Sequence, residues 1–287
     1  MATFNEKRTC SERMENFGRF VWNSDTGELM GRTLVKWVYI SLYYVAFYIV
    51  IIGLFALSIY SLMQTLNPYE PDYQDLLQSP GVTMRPNAYG DGGFEVYYNV
   101  SDEKSYKGIV KSLNKFLTVY NKTNQEAMHN KDCRNLTDVK HMLTGIGRTK
   151  YACQFTTEML GNCSYEKDPT FGYASGQPCL FIKMNRIINF VPDNKTAATL
   201  HCTSKGKNLL GHVEYFPHAS FGMQYFPYYG RKAQPNYTNP LVAVKLLNVP
   251  YNTEMEVECK VNGSKIINDD PHEPYVGKVS FKLNIHK

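Results

Sequence analysis

WVYISLYYVAFYIVIIGLFALSIYSLM, residues 37–63, is the stretch on which the reading of this chain turns: 27 residues in a row without a charged side chain. As a helix rising about 1.5 Å per residue it reaches roughly 40 Å, more than the ~30 Å hydrocarbon core of a bilayer requires. Tilt or interfacial overhang absorbs the excess. A helix buried in a globular core rarely lacks a polar face over such a length. The run is also longer than the apolar region of a cleaved signal peptide, about 7–15 residues, and Gln64–Pro68 offers no small-x-small cleavage site. It reads as an uncleaved signal anchor.

The flanks orient it. Lys7, Arg8, Arg13, Arg19, Arg32 and Lys36 precede the run; no Lys or Arg follows until Arg85, whereas Glu70, Asp72 and Asp75 do. The positive-inside rule then puts residues 1–36 in the cytoplasm and everything after residue 63 outside. Trp37 and Tyr60 sit where an aromatic belt belongs. Two independent features agree. Six of the seven cysteines (Cys133, Cys153, Cys163, Cys179, Cys202, Cys259) follow the run, an even number in an oxidising compartment. All seven Asn-x-Ser/Thr sequons follow it as well: Asn99, Asn121, Asn135, Asn162, Asn194, Asn236 and Asn262. A net charge of +5 without a basic run gives no reason to expect nucleic acid.

Residues 1–36 are polar and read as a tail, with Phe17, Phe20, Val21 and Trp22 able to form one amphipathic turn against the membrane. Residues 64–93, rich in Pro, Gly and Asp, read as an extended stalk. The ectodomain proper, 94–287, begins with the strand FEVYY. Ser101 and Asp102 then offer a cap to a helix whose face is Ile109, Leu113, Phe116, Leu117 and Tyr120. Residues 121–150 are polar and carry two sequons, the pattern of an exposed excursion. From Cys179 onward strands dominate. EMEVECKV alternates Met255, Val257, Cys259 and Val261 with charged residues, and GKVSFKLNIHK alternates Val279, Phe281, Leu283 and Ile285. Half-buried antiparallel strands parted by Pro/Gly turns predict a mainly β protein, a sandwich with an inserted helix.

No catalytic constellation is legible. After the span there is no Asp-x-Asp pair for a metal-dependent glycosyltransferase, no Gly-x-Ser-x-Gly elbow, no His-Glu-x-x-His and no Cys-x-x-Cys. Asp269-Asp270 precedes Pro271, where acidic residues serve a turn. No cofactor or metal is expected. What stands out is aromatic. Tyr225-Phe226-Pro227-Tyr228-Tyr229-Gly230 sets four rings in six residues, which suits a core or an interface equally. Tyr43, Tyr44 and Tyr48 lie inside the span, where hydroxyls facing lipid are costly. Tyr44 and Tyr48 share a helix face, and Gly53 permits close approach of another helix. Alternatively, these tyrosines sit high enough to reach the headgroups.

At these residues the sequence resembles the β subunits of the P-type potassium-counter-transporting ATPases, the sodium pump and the gastric proton pump. The resemblance runs through WNSDTGELMGRT, SLYYVAFY, the six cysteines and YFPYYGRKAQPNYTNPLVAVKLLN; PYEPDYQDLLQSPGVTMRP, PCLFIKMNRI and the number of sequons are closer to the gastric type. It implies an immunoglobulin-like antiparallel sandwich and a glycosylated, non-catalytic partner of a catalytic α subunit. That partner is needed for the folding and surface delivery of α and tunes its potassium occlusion. The implied location is the apical plasma membrane. It also implies sequential disulfides, Cys133–Cys153, Cys163–Cys179 and Cys202–Cys259, which six cysteines alone leave open. With α as the partner, the local argument from tyrosines and a glycine in lipid puts contacts at Tyr44, Tyr48 and Gly53 within the bilayer. Outside it they are implied at Tyr228, Tyr229, Gly230 and the strand over 241–247. One departure stands out: gastric-type tails carry a tyrosine-based retrieval motif, and here the matching stretch has Phe20. The sodium-pump type is the near alternative; a lumenal enzyme or an adhesion glycoprotein is the distant one.

Overall fold

A computed structural model describes residues 10–24, 26–87, 89–90, 93–134, 150–193, 196–205 and 210–287. The chain divides into two compact units, Met1–Leu66 and Asn67–Lys287.

In the first unit the tail is more ordered than its composition predicts. Helix α1 (Cys10–Val21) leads into a small meander of β1 (Trp22–Asn23), β2 (Glu28–Leu29) and β3 (Arg32–Thr33). Gly27 and Gly31, at φ +66° and +69°, make its turns. The Trp37 indole N–H donates to the Leu29 carbonyl at 2.8 Å, tying the meander to the first turns of the long helix. That helix, α2 (Leu34–Thr65), overruns the apolar stretch by three residues before it and two after, because the hydrogen-bond ladder continues into the polar flanks. None of its residues is buried, and it is long and apolar enough to cross a membrane.

In the second unit two sheets share one core. The larger runs β10 (Ser220–Phe221), β8 (Ala198–Lys205), β12 (Met255–Asn262), β13 (Lys278–His286), β6 (Gly93–Asn99), β5 (Tyr89–Gly90); the smaller runs β4 (Val82–Arg85), β7 (Cys179–Met184), β11 (Val242–Leu246), β9 (Val213–Phe216). The alternation read from the sequence holds: Met255, Val257, Cys259 and Val261 are buried, as are Val279, Phe281, Leu283 and Ile285, with Met255, Val257 and Cys259 paired to Leu283, Phe281 and Val279. Among the described residues the ladders are antiparallel except β6 with β13, which is parallel. No hairpin constrains that pair, since the chain between them supplies the crossover.

The helical insertion begins with α3 (Glu103–Leu117), capped by the Asp102 carboxylate, which accepts from the Lys104 N–H at 3.0 Å. Leu113 and Leu117 are buried, with Ile109, Val110 and Phe116 packed beside them. Two expectations need correction. The stalk does not extend to residue 93: Ser79 exchanges hydrogen bonds with the Ile267 backbone, and Val82 and Met84 of β4 are fully buried against β7. A period-2 strand was hidden there among prolines and glycines. Nor is the 121–150 excursion exposed throughout its described part. Asn121 caps α4 (Lys122–Ala127), and Gln125 is fully buried. Its amide donates to the Val119 carbonyl, and its oxygen accepts from Asn130 and Thr238, which satisfies a buried polar group through partners far apart in sequence.

The six cysteines form Cys133–Cys153, Cys163–Cys179 and Cys202–Cys259. Cys202 and Cys259 are directly opposed in the β8–β12 ladder, 4.0 Å apart at Cα. They join neighbours of one sheet, not distant strands, and still close the longest loop of the three, 57 residues.

Candidate partner-binding surfaces

On α2 the aromatic side chains form a ladder along the helix. Tyr43 stacks on Phe47 at 6.3 Å and Tyr44 on Tyr48 at 6.2 Å between ring centroids, the spacing expected of residues one turn apart. Tyr44 and Tyr48 are 50% and 56% exposed within their own chain, so the fold of this chain leaves that face unfilled. A methyl group added at Gly53 would meet nothing within 4 Å, so no contact of this chain requires glycine there.

The second aromatic segment is built differently. One helical turn, Met223–Tyr225, delivers the Tyr225 ring onto Phe155 at 5.7 Å, and its hydroxyl donates to the Gln154 carbonyl. Burial pushes that phenol up to about 12. Tyr228 is 8% exposed: its ring lies 4.7 Å from Tyr237, and the Arg186 guanidinium spans both rings at 5.5 and 5.2 Å. The Tyr237 hydroxyl donates to the Tyr225 carbonyl and closes the cluster, and burial drives its pKa up. Gly230 has φ +87°, and an added Cβ would stand 3.1 Å from the Tyr69 carbonyl. The turn itself requires glycine. Leu241 and Val242–Val244 are almost fully buried, β11 lying between β7 and β9.

Tyr228, Gly230 and most of β11 are thus buried in the ectodomain's own packing, while Lys245 and Leu247 are half-buried. Tyr229 alone of the three keeps a half-open ring, with the Lys150 ammonium 3.3 Å from its centroid. Lys150 is 79 positions away, and no sequence signal announced it.

Among the sequons, Asn121, Asn162, Asn236 and Asn262 are exposed and Asn99 is half-buried, while Asn135 and Asn194 lie outside the described residues. The companion hydroxyls of two of them are buried: Ser164 at 3% and Thr238 at 5%, the latter donating to Gln125. Among the described residues there is no group of His, Cys, Asp and Glu arranged to hold a metal.

The protein family described as the sodium/potassium ATPase beta chain matches residues 7–281. The chain belongs to that family. Among the beta chains, it is 52% identical to the potassium-transporting ATPase subunit beta of Canis lupus familiaris and 50% identical to that of Homo sapiens, over the full length of both chains. It is 42% identical to the sodium/potassium-transporting ATPase subunit beta-2 of Mus musculus over 98% of each. Members named for both pump types thus align with the span and the ectodomain together.

Proposed function

We propose that this chain is the non-catalytic β subunit of a proton/potassium-type P-type ATPase, anchored by α2 with residues 1–36 cytoplasmic and the glycosylated sandwich outside. The full-length similarity to potassium-transporting β subunits, at 52% against 42% for the sodium/potassium kind, carries the reading. The open ladder of Tyr44 and Tyr48 supports it, since a helix that only anchors has no use for hydroxyls in lipid. In this reading Tyr44, Tyr48 and Gly53 pack on transmembrane helices of the catalytic subunit, and Tyr229 meets one of its extracellular segments.

The mechanism is conformational. A subunit remote from ATP alters transport only by binding one state of its partner better than another. A preference of about 1–3 kcal/mol for the potassium-occluded state shifts that equilibrium roughly five- to 150-fold. The sandwich, closed by three disulfides, supplies the rigid lumenal body on which the partner folds and leaves the endoplasmic reticulum. The sequon asparagines carry N-glycans, and at Asn162 and Asn236 the buried Ser164 and Thr238 require modification to precede folding. The surface is apical, and Phe20 removes the tyrosine hydroxyl that an adaptor would read in the tail. Blue-native electrophoresis of the protein from native membranes tests the assignment. A stable complex with a potassium-activated ATPase is expected; a lone monomer or homodimer overturns it.

A further inference from the structure

With Tyr228 buried within the ectodomain, the molecule offers a more open surface for assembly. Between Tyr69 and Ser79 the chain forms a loop pinned at both ends. At one end Tyr69 is half-buried, with the Lys232 ammonium 5.0 Å from its ring centroid. At the other, Ser79 both donates to the Ile267 carbonyl and accepts from its N–H. Between these points the loop's hydrogen bonds are local: Leu77 N–H to the Gln74 carbonyl, and the Gln78 amide to the Asp75 carbonyl. Its tip carries three large apolar side chains that the rest of the chain leaves bare: Tyr73 at 89%, Leu76 at 93% and Leu77 at 62% exposed. No other group of ectodomain neighbours among the described residues is so open. Apolar side chains this close together and this exposed mark an interaction site.

We infer that Tyr73, Leu76 and Leu77 dock into an apolar groove, rimmed by basic side chains, on the extracellular side of the catalytic subunit. The partner's chemistry follows from charge. Glu70, Asp72 and Asp75 surround the three side chains, are exposed, and form no ion pair among the described residues. Three carboxylates are repelled by lipid phosphates, so a bilayer surface is a poor match; a groove with lysines or arginines at its rim satisfies them. Position agrees, since the loop starts four residues after the end of α2, and a partner crossing the bilayer beside α2 presents its outer segments to this part of the chain. This deepens the β-subunit reading and rests on it.

The test uses the full chain co-expressed with a potassium-transporting catalytic subunit. Tyr73→Ser/Leu76→Ser/Leu77→Ser should lower the affinity for that subunit about tenfold or more, as loss of buried anchors does. The disulfides and the thermal unfolding of the ectodomain should stay nearly unchanged, because these side chains are mostly bare of contact with it. Asp72→Lys/Asp75→Lys should weaken assembly in the same direction, and added salt should reduce the difference from wild type. A photoreactive leucine analogue at position 76 should cross-link to the catalytic subunit. Cross-linking to lipid, to a second copy of this chain or to nothing overturns the inference, as does undiminished assembly of the serine variant. If the wild-type chain itself recovers no ATPase, the β-subunit reading fails; if wild type and variant recover it equally, only the loop assignment does.

Discussion

Two tyrosine-rich segments of this chain meet opposite fates. Residues 43–48 present stacked rings that their own chain leaves half exposed; residues 225–229 turn most of theirs inward, Tyr228 onto Tyr237 and Tyr225 onto Phe155. Ring density is therefore no guide to whether an aromatic segment is core or interface. The backbone decides. On a lone helix every side chain points away from the axis and burial must come from another molecule. In the sandwich a helical turn, a proline and a glycine at positive φ fold the rings back onto strands and loops of the same chain.

Experiments that separate the two regions should show effects of graded size. The largest belongs to the sandwich alone. Replacing both Cys202 and Cys259 by alanine should cost the ectodomain about 4 kcal/mol on the chain-entropy model for a 57-residue loop, read by denaturant unfolding. Part of that loss is offset because the hydrogen-bonded β8–β12 ladder holds the pair in register. Next, Tyr228→Ala should lower ectodomain stability by about 3 kcal/mol, the cost of a large ring removed from a packed site. Were Tyr228 a partner contact only, unfolding of the isolated chain would not change. Gly230→Ala should cost on the order of 1 kcal/mol for the strained φ, as measured by thermal shift.

The smallest effect is electrostatic. Glu258 is partly buried, which raises its pKa, but the hydrogen-bonded Lys205 ammonium at 2.9 Å more than offsets this, and its carboxyl lies below the ordinary range. A depressed carboxylate stabilises the folded state above its unfolded pKa, and that contribution disappears as pH falls through the folded value. The stability gap between wild type and Glu258→Gln should therefore be present at neutral pH and close as pH falls below the ordinary glutamate range and through the folded carboxyl's lower value.

Much of this architecture is legible in the sequence where one periodicity dominates. The apolar run at 37–63, the alternation over 254–261 and 278–286, and the amphipathic face from Ile109 to Tyr120 each follow from a single repeat. What stayed hidden needs contacts between distant residues. β4 is four residues long between prolines, and Gln125 reads as polar surface until Asn130 and Thr238 are brought to it. Of the candidate contact residues, the helix-borne tyrosines stand where the 3.6-residue repeat puts them. Tyr228 and Gly230 do not, because their burial depends on Tyr237, Arg186 and Tyr69. The tail reads as a polar leader because its short meander strands, two residues each, lie below the length at which alternation shows.

The central proposal is that the open ring face of α2 is a partner contact, whereas the closed ring cluster of the sandwich serves its own fold. Potassium activation of the assembled pump in matched membranes tests it most directly, comparing wild type with Tyr44→Leu/Tyr48→Leu. The account predicts a shift in apparent potassium affinity, up to the five- to 150-fold range that about 1–3 kcal/mol allows, with ectodomain unfolding unchanged. Wild-type potassium activation in that variant would contradict it and reduce α2 to an anchor.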